Sequence, residues 1–197
     1  MNRLPTIASN SAFGRRYTSV TPRSEVPAVT TSLNGEGGDF DALFAANYAA
    51  LARVIRRVVG DAGWAEELAA EAFWKLHRQP PRSDHNLVGW LYRTGLRLAL
   101  DNLKTRKRRT HYESLAATPT RDPEGPAYET LEQQSRVRLV LAAMKPAQAT
   151  LLVLRSEGFS LAELAGALNL NPGSVGTFLA RAELAFRKEY VNRYGEP

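Results

Sequence analysis

The chain has 197 residues, 44% of them hydrophobic, and a formal net charge of +6, which suits one ordinary domain or two small ones and favours a polyanionic partner such as nucleic acid. It contains no cysteine, so disulfides, thiol catalysis and cysteine-ligated zinc are excluded. No run approaches the ~20 apolar residues of a spanning helix, and the N-terminus lacks the apolar stretch of a signal peptide, so a cytoplasmic location is expected.

Residues 1–38 are rich in Ser, Thr, Pro, Gly and Asn, carry Arg3, Arg15, Arg16 and Arg23, and show neither helical nor strand period, as a disordered arm does. From Asp39 onward, Phe40, Leu43, Phe44, Leu51, Val54, Ile55 and Val58 recur at helical spacing, and Gly60 with Gly63 ends the run. A second helix is expected over 64–79, stopped by Pro80 and Pro81, and a polar loop at 82–86 leads into a third.

That third segment, Trp90–Arg109, reads WLYRTGLRLALDNLKTRKRR. At about 100° per residue, Leu87, Leu91, Gly95, Leu98 and Ala99 share one face, while Trp90, Arg93, Arg97, Lys104 and Arg108 form a stripe opposite. One side packs and the other can meet phosphate. A basic helix can also be merely solubilising, so its neighbours must decide.

Residues 111–130 lose periodicity and collect Pro119, Pro123, Gly125 and Pro126, the composition of a flexible interdomain linker. The expected division is an arm (1–38), a first domain (39–110), a linker (111–130) and a second domain (131–190). In the second, a helix is expected from Leu131 to Met144, and Pro146 opens another that Gly158 closes. Ser160 and Glu163 form a capping-box pair ahead of Leu161, Leu164, Ala165 and Leu168. Asn169 tolerates a left-handed turn, and Asn171-Pro172 reads as N-cap plus first residue of a last helix running to about Tyr190. The result is a helix-turn-helix. In the last helix, Val175, Leu179, Ala182 and Phe186 face inward, leaving a charge-poor outer face of Gly176, Thr177, Ala180, Arg181 and Leu184. DNA affinity rests mainly on Lys and Arg, and here Arg181, with Thr177 and the later Arg187 and Lys188, supplies the polar groups. The fold class is therefore all-α: an N-terminal bundle of three to four helices and a C-terminal helix-turn-helix domain.

The second helix buries Leu68, Ala69, Ala72 and Leu76 and turns Trp64, Glu67, Glu71, Trp74 and Arg78 outward. Aromatics rimmed by charge make a protein interface, the ring as anchor and the carboxylates selecting a basic partner; packing of one tryptophan on the first helix is the plainer alternative. Glu66 projects away from Glu67 and Glu71, and no histidine or aspartate joins them. His77, His85 and His111 are scattered. No catalytic group, metal site or cofactor is implied, and the chain reads as a binding protein.

These segments resemble a bacterial extracytoplasmic-function sigma factor, the two-domain form of the sigma-70 family. WAEELAAEAF (64–73) is similar to the family's DAEDLVQEVF, residues 90–109 to WLYRIARNLALDHLRRRRR, and FSLAELAGALNLNPGSVGTFLARAELAFR (159–187) to LSYEEIAEVLGIPVGTVKSRLHRARKRLR. The resemblance implies an alternative sigma factor that binds core RNA polymerase, recognises −10 and −35 elements and melts the −10 region. It places Glu67, Glu71 and Trp74 on the clamp helices of the β′ subunit, and makes the β flap, promoter DNA and an anti-sigma factor further partners. Asn86, Trp90, Arg93, Arg97, Lys104, Arg106, Lys107, Arg108 and Arg109 would meet the −10 element; Ser174, Thr177, Arg181, Arg187 and Lys188 would meet the −35 element.

Three departures fall on functional positions. The family's Arg-Asn pair is Leu96-Arg97 here, which removes a base-edge reader. Trp64 replaces an aspartate. In the last helix Gly176, Phe178, Ala180, Glu183 and Leu184 stand where the family has basic residues, a loss of roughly four or five charges that weakens phosphate binding. The alternative reading follows from this: a sigma-like regulator whose C-terminal domain mainly binds protein. An ordinary DNA-binding regulator that never enters polymerase is a further rival.

Overall fold

The computed structural model describes residues 37–81, 86–114 and 126–195. The arm up to residue 36, the loop 82–85 and residues 115–125 lie outside the described residues. Those described form seven α-helices and one 3-10 turn: α1 (Gly37–Val59), α2 (Ala62–Arg78), α3 (Leu87–Ser114), α4 (Pro126–Ala143), α5 (Pro146–Ser156), α6 (Leu161–Leu168), the turn Pro172–Ser174, and α7 (Val175–Tyr194). The third helix is longer than expected and continues to Ser114, while α4 begins earlier, at Pro126.

Local chemistry sets the helix ends. Asp61 caps α2, its side chain accepting from the Trp64 N–H at 2.8 Å. The Ser160 hydroxyl accepts from the Glu163 N–H at 3.2 Å, and the Glu163 carboxylate accepts from the Ser160 N–H at 2.7 Å, so the capping box of α6 closes in both directions. Asn169 ends that helix in the left-handed conformation (φ 53°, ψ 49°), and the Asn171 side chain accepts from the Gly173 N–H at 2.9 Å. A Schellman corner ends α5: Gly158 has φ 89°, its N–H donates to the Arg155 carbonyl at 3.0 Å, and the Phe159 N–H donates to the Leu154 carbonyl at 3.2 Å. A side chain at 158 would strain that corner.

Helices α1 to α3 pack mutually, with Leu51, Ile55, Phe73, Leu76, Leu91 and Ala99 among the buried residues. Helices α4 to α7 form the second unit around Val140, Leu151, Leu154, Leu164, Val175 and Ala182. The two units also pack on each other, α3 touching α4, α5 and α6, and α1 touching α5. Beyond the expected face of α3, Val88, Tyr92, Leu96 and Leu100 are buried as well, whereas Leu98 is only partly buried. Gly89, Tyr92, Leu96 and Leu100 form a second inward flank about 120° from the first. Tyr92 meets Phe159 edge-on at 5.2 Å, placed there by the Schellman corner. A helix buried on two flanks leaves about one third of its circumference for a ligand.

Candidate nucleic-acid interface

The remaining third of α3 carries the expected stripe. Trp90 is partly buried, its ring resting against the core, which holds the ring in place while leaving part of it accessible. Arg97 is exposed and pairs with Asp101 at 3.8 Å, both side chains more than half in solvent; a pair this wet contributes little and yields readily to a phosphate. Lys104 is half-buried about two turns beyond Arg97. The side chains of Arg106, Lys107, Arg108 and Arg109 lie outside the described residues, although their backbone continues α3.

Two residues of the set are placed differently from expectation. Arg93 is half-buried, and desolvation holds its pKa below the ordinary arginine value. It lies between the open stripe and the flank that faces the C-terminal unit, so it is only partly available to DNA. Asn86 folds back on its own helix, its side-chain oxygen accepting from the Gly89 N–H at 2.6 Å. That bond caps α3 and engages one lone pair of the amide oxygen. Of the polar loop expected at 82–86, residues 82–85 lie outside the described residues.

The face of α2 expected to bind protein largely follows the helical period. Glu67 and Glu71 are exposed, Glu71 pairing with Lys75 at 3.3 Å. Trp74 is 57% exposed, with the Arg78 guanidinium 5.5 Å above its ring and His77 at 6.3 Å. Trp64 is the exception, partly buried against the core rather than turned outward. Sequence reasoning missed an aromatic array beside this face. Phe40 and Phe44 stack at 6.4 Å and Phe44 and Tyr48 at 4.7 Å, and the Phe73 ring closes on Phe44 at 4.9 Å. The i, i+4, i+8 spacing of Phe40, Phe44 and Tyr48 was the available signal. Phe44 remains 38% exposed, so the array extends the apolar part of the surface around Trp74.

In the helix-turn-helix, Val175 and Ala182 are fully buried and Leu179 and Phe186 partly so, as the spacing required. Ser174 is half-buried at the start of α7, and Thr177, Arg181, Arg187 and Lys188 are exposed. Between these polar groups the surface is apolar: Phe178 is 41% exposed and Leu184 69%. The outer face of α7 thus has few cations and two large apolar side chains.

Among the described residues no group of acidic or histidine side chains could hold a metal ion, and no helix is long and apolar enough to cross a membrane. Residues 43–109, spanning most of α1 to α3, match the family description Sigma-70 region 2. Residues 134–185, spanning much of α4 to α7, match Sigma-70, region 4. Among solved structures the chain is similar to the sigma factor RpoE of Bartonella quintana, solved in complex with the anti-sigma factor NepR. The identity is 18% and the TM-score 0.46, over 77% of this chain and 96% of that one. No curated protein matches the chain in sequence.

Proposed function

The chain belongs to the sigma-70 family and is an alternative sigma factor of transcription initiation that binds RNA polymerase and promoter DNA, and from that premise we propose how its surfaces divide the work. Residues 39–110 act as the −10 and polymerase-docking unit, and residues 131–190 as the upstream unit. Glu67, Glu71 and Trp74, with the adjoining Phe44, dock on the β′ clamp helices. Trp90, Arg97 and Lys104, with the basic end at 106–109, hold the −10 element. Ser174, Thr177, Arg181, Arg187 and Lys188 lie toward the −35 element, near the β flap. The protein works in the cytoplasm, where polymerase is.

Melting on this reading needs no bond chemistry. Unstacking costs a few kcal/mol per base, and stacking on an aromatic ring returns about 1–3 kcal/mol. A surface that offers Trp90 for a base and Arg97 and Lys104 for the strand's phosphates prefers single-stranded DNA and so shifts the duplex equilibrium toward the open form. The observation that carries the reading is this stripe itself: a partly buried indole and two cations on a face of α3 that the core leaves open.

The test is transcription with core polymerase from duplex and from pre-melted templates. Arg97→Ala is expected to depress the duplex template more than the pre-melted one. Equal sensitivity of both templates removes the melting role.

A second reading concerns α7 alone. The exposure of Phe178 and Leu184, together with Leu161 on α6 at 46%, favours a protein partner for this face. Under that reading the −35 contacts are few and the N-terminal unit does most of the DNA work.

A further inference from the structure

The aromatic surface of α1 and α2 runs unbroken from one helix to the other, and it begins where the chain enters the first. Ring follows ring from Tyr48 to Phe44 at 4.7 Å, to Phe40 at 6.4 Å, to His77 at 5.3 Å and to Trp74 at 6.3 Å. Phe40 lies one turn into α1, which starts at Gly37. We propose that the segment Phe13–Tyr17 of this chain docks on that strip in the free protein and must leave before polymerase can take the same face. The masking half of the proposal rests on the docking role assigned above to Glu67, Glu71 and Trp74, and the arm's contact does not.

The strip defines the chemistry of what covers it. Phe44 is 38% and Trp74 57% exposed, so two large rings stand in water on neighbouring helices, as at an interaction site. Such rings gain from other rings placed edge-on or offset, and from guanidinium groups over their faces. The Arg78 guanidinium over Trp74 is one example of the second mode. One border of the strip is acidic, with Glu66, Glu67 and Glu71 exposed on α2. The pair of Glu71 with Lys75 at 3.3 Å is about half in solvent on both sides, so it gives way readily to another cation. The surface therefore fits a short segment that combines aromatic rings with arginines.

The sequence ahead of α1 supplies such a segment once. Phe13 and Tyr17 are the only aromatic residues in 1–36, and Arg15 and Arg16 stand between them. Across the arm, Arg3, Arg15, Arg16 and Arg23 outnumber Glu25 and Glu36, so its charge is opposite to that of the acidic border. Reach is ample, since residues 18–36 extend to on the order of 60 Å, whereas α2, with 17 residues, is about 25 Å long. The tether starts at the edge of the strip, and a short tether sets an effective concentration of about 1 mM. A segment with a dissociation constant of only about 0.25 mM then occupies the strip in roughly four-fifths of the chains. Contact this weak holds the arm in place yet yields to a polymerase interface of ordinary size.

The absence of native cysteine permits a direct measurement on the full chain. Bimane attached at Ser11→Cys is quenched by an indole only at close range, and Trp74→Phe identifies which of the three tryptophans is responsible. Quenching is expected in the free chain. It is expected to be relieved by Trp74→Phe, by Phe13→Ser combined with Tyr17→Ser, and by Arg15→Glu combined with Arg16→Glu. Adding Glu67→Arg and Glu71→Arg to the last pair is expected to restore it. In the same samples, Phe13→Ser with Tyr17→Ser raises affinity for core RNA polymerase about fivefold, as expected when a form holding roughly four-fifths of the chain is removed. Circular dichroism verifies that helix content is retained. Absent quenching, or quenching that survives Trp74→Phe or either arm pair, overturns docking of the arm on this strip. Relief without tighter polymerase binding overturns masking if Glu67→Arg with Glu71→Arg, in the native arm, still weakens that binding. If that acidic pair leaves polymerase binding unchanged, the assigned docking role of α2 fails and the arm's contact stands.

Discussion

Helices α3 and α7 are the two elements offered to promoter DNA, and they are built on opposite plans. The first is buried along two flanks and presents a narrow strip on which Trp90, Arg97 and Lys104 are concentrated. The second is fully buried only at Val175 and Ala182 and presents a broad face of Gly176, Thr177, Phe178, Ala180, Arg181 and Leu184. A rigid strip with an aromatic edge and closely spaced cations suits a strand whose bases can leave the stack. A broad face with one central cation gives shape complementarity but little phosphate binding, because each lost phosphate contact flattens the salt dependence by about 0.9 in log–log slope. Promoter engagement in this chain therefore leans on α3, and α7 contributes placement more than grip.

The comparison breaks first at Trp90. Combining Trp90→Ala with Lys104→Ala removes a base platform and a phosphate contact together, and single-strand binding by the holoenzyme is expected to weaken on the order of tenfold to a hundredfold. Fluorescence anisotropy at fixed salt reads this, and a loss below threefold would mean that α3 is not the principal grip. Arg181→Ala is expected to weaken upstream duplex binding by less than about tenfold, and a hundredfold loss, about 2.7 kcal/mol, would reverse the ranking of the two helices. The smallest effect sharpens the comparison by adding what α7 lacks. A Cβ at Gly176 meets nothing within 4 Å, so Gly176→Lys is accommodated without strain. It should raise duplex affinity a few-fold and steepen the salt slope by about 0.9, while exchanging a helical glycine stabilises α7 by up to about 1 kcal/mol. An unchanged slope would place DNA elsewhere than on this face.

Much of the architecture was legible because it is written in local chemistry. The Ser160–Glu163 box, the left-handed Asn169 and Gly158 each act within four residues of their position, and each was identified from sequence and found in place, whereas Asn171 caps the short turn Pro172–Ser174 ahead of α7 rather than α7 itself. The inner face of α7 followed from spacing alone. The second flank of α3 did not, because Tyr92 is met by Phe159 from far along the chain, and periodicity cannot tell two buried faces from one broad one. Arg93 was misjudged because it lies at the edge of that second flank and is half-buried there. Trp64 has an amphipathic ring that suits either environment, and helix spacing placed it outside. Pro126 shows a different limit. A proline marks a break in composition, yet it also fits the first turn of a helix, and here it opens α4.

The distance along the chain between Ser114 and Pro126 gives the packing of the two units its thermodynamic character. Residues 115–125 reach on the order of 40 Å when extended, so the two units are permanent neighbours and their association is a first-order event. Diluting the protein leaves the balance between joined and separated forms where it was, and so does raising its concentration. What moves the balance is a ligand that prefers one form, and turning 1:99 into 99:1 takes a preference of about ten-thousandfold. Polymerase that accepts only the separated form would bind with an apparent affinity lowered by the fraction of chain in that form. Cutting the chain within 115–125 would turn the same packing into a second-order contact, and polymerase affinity would then vary with the amount of the C-terminal fragment supplied.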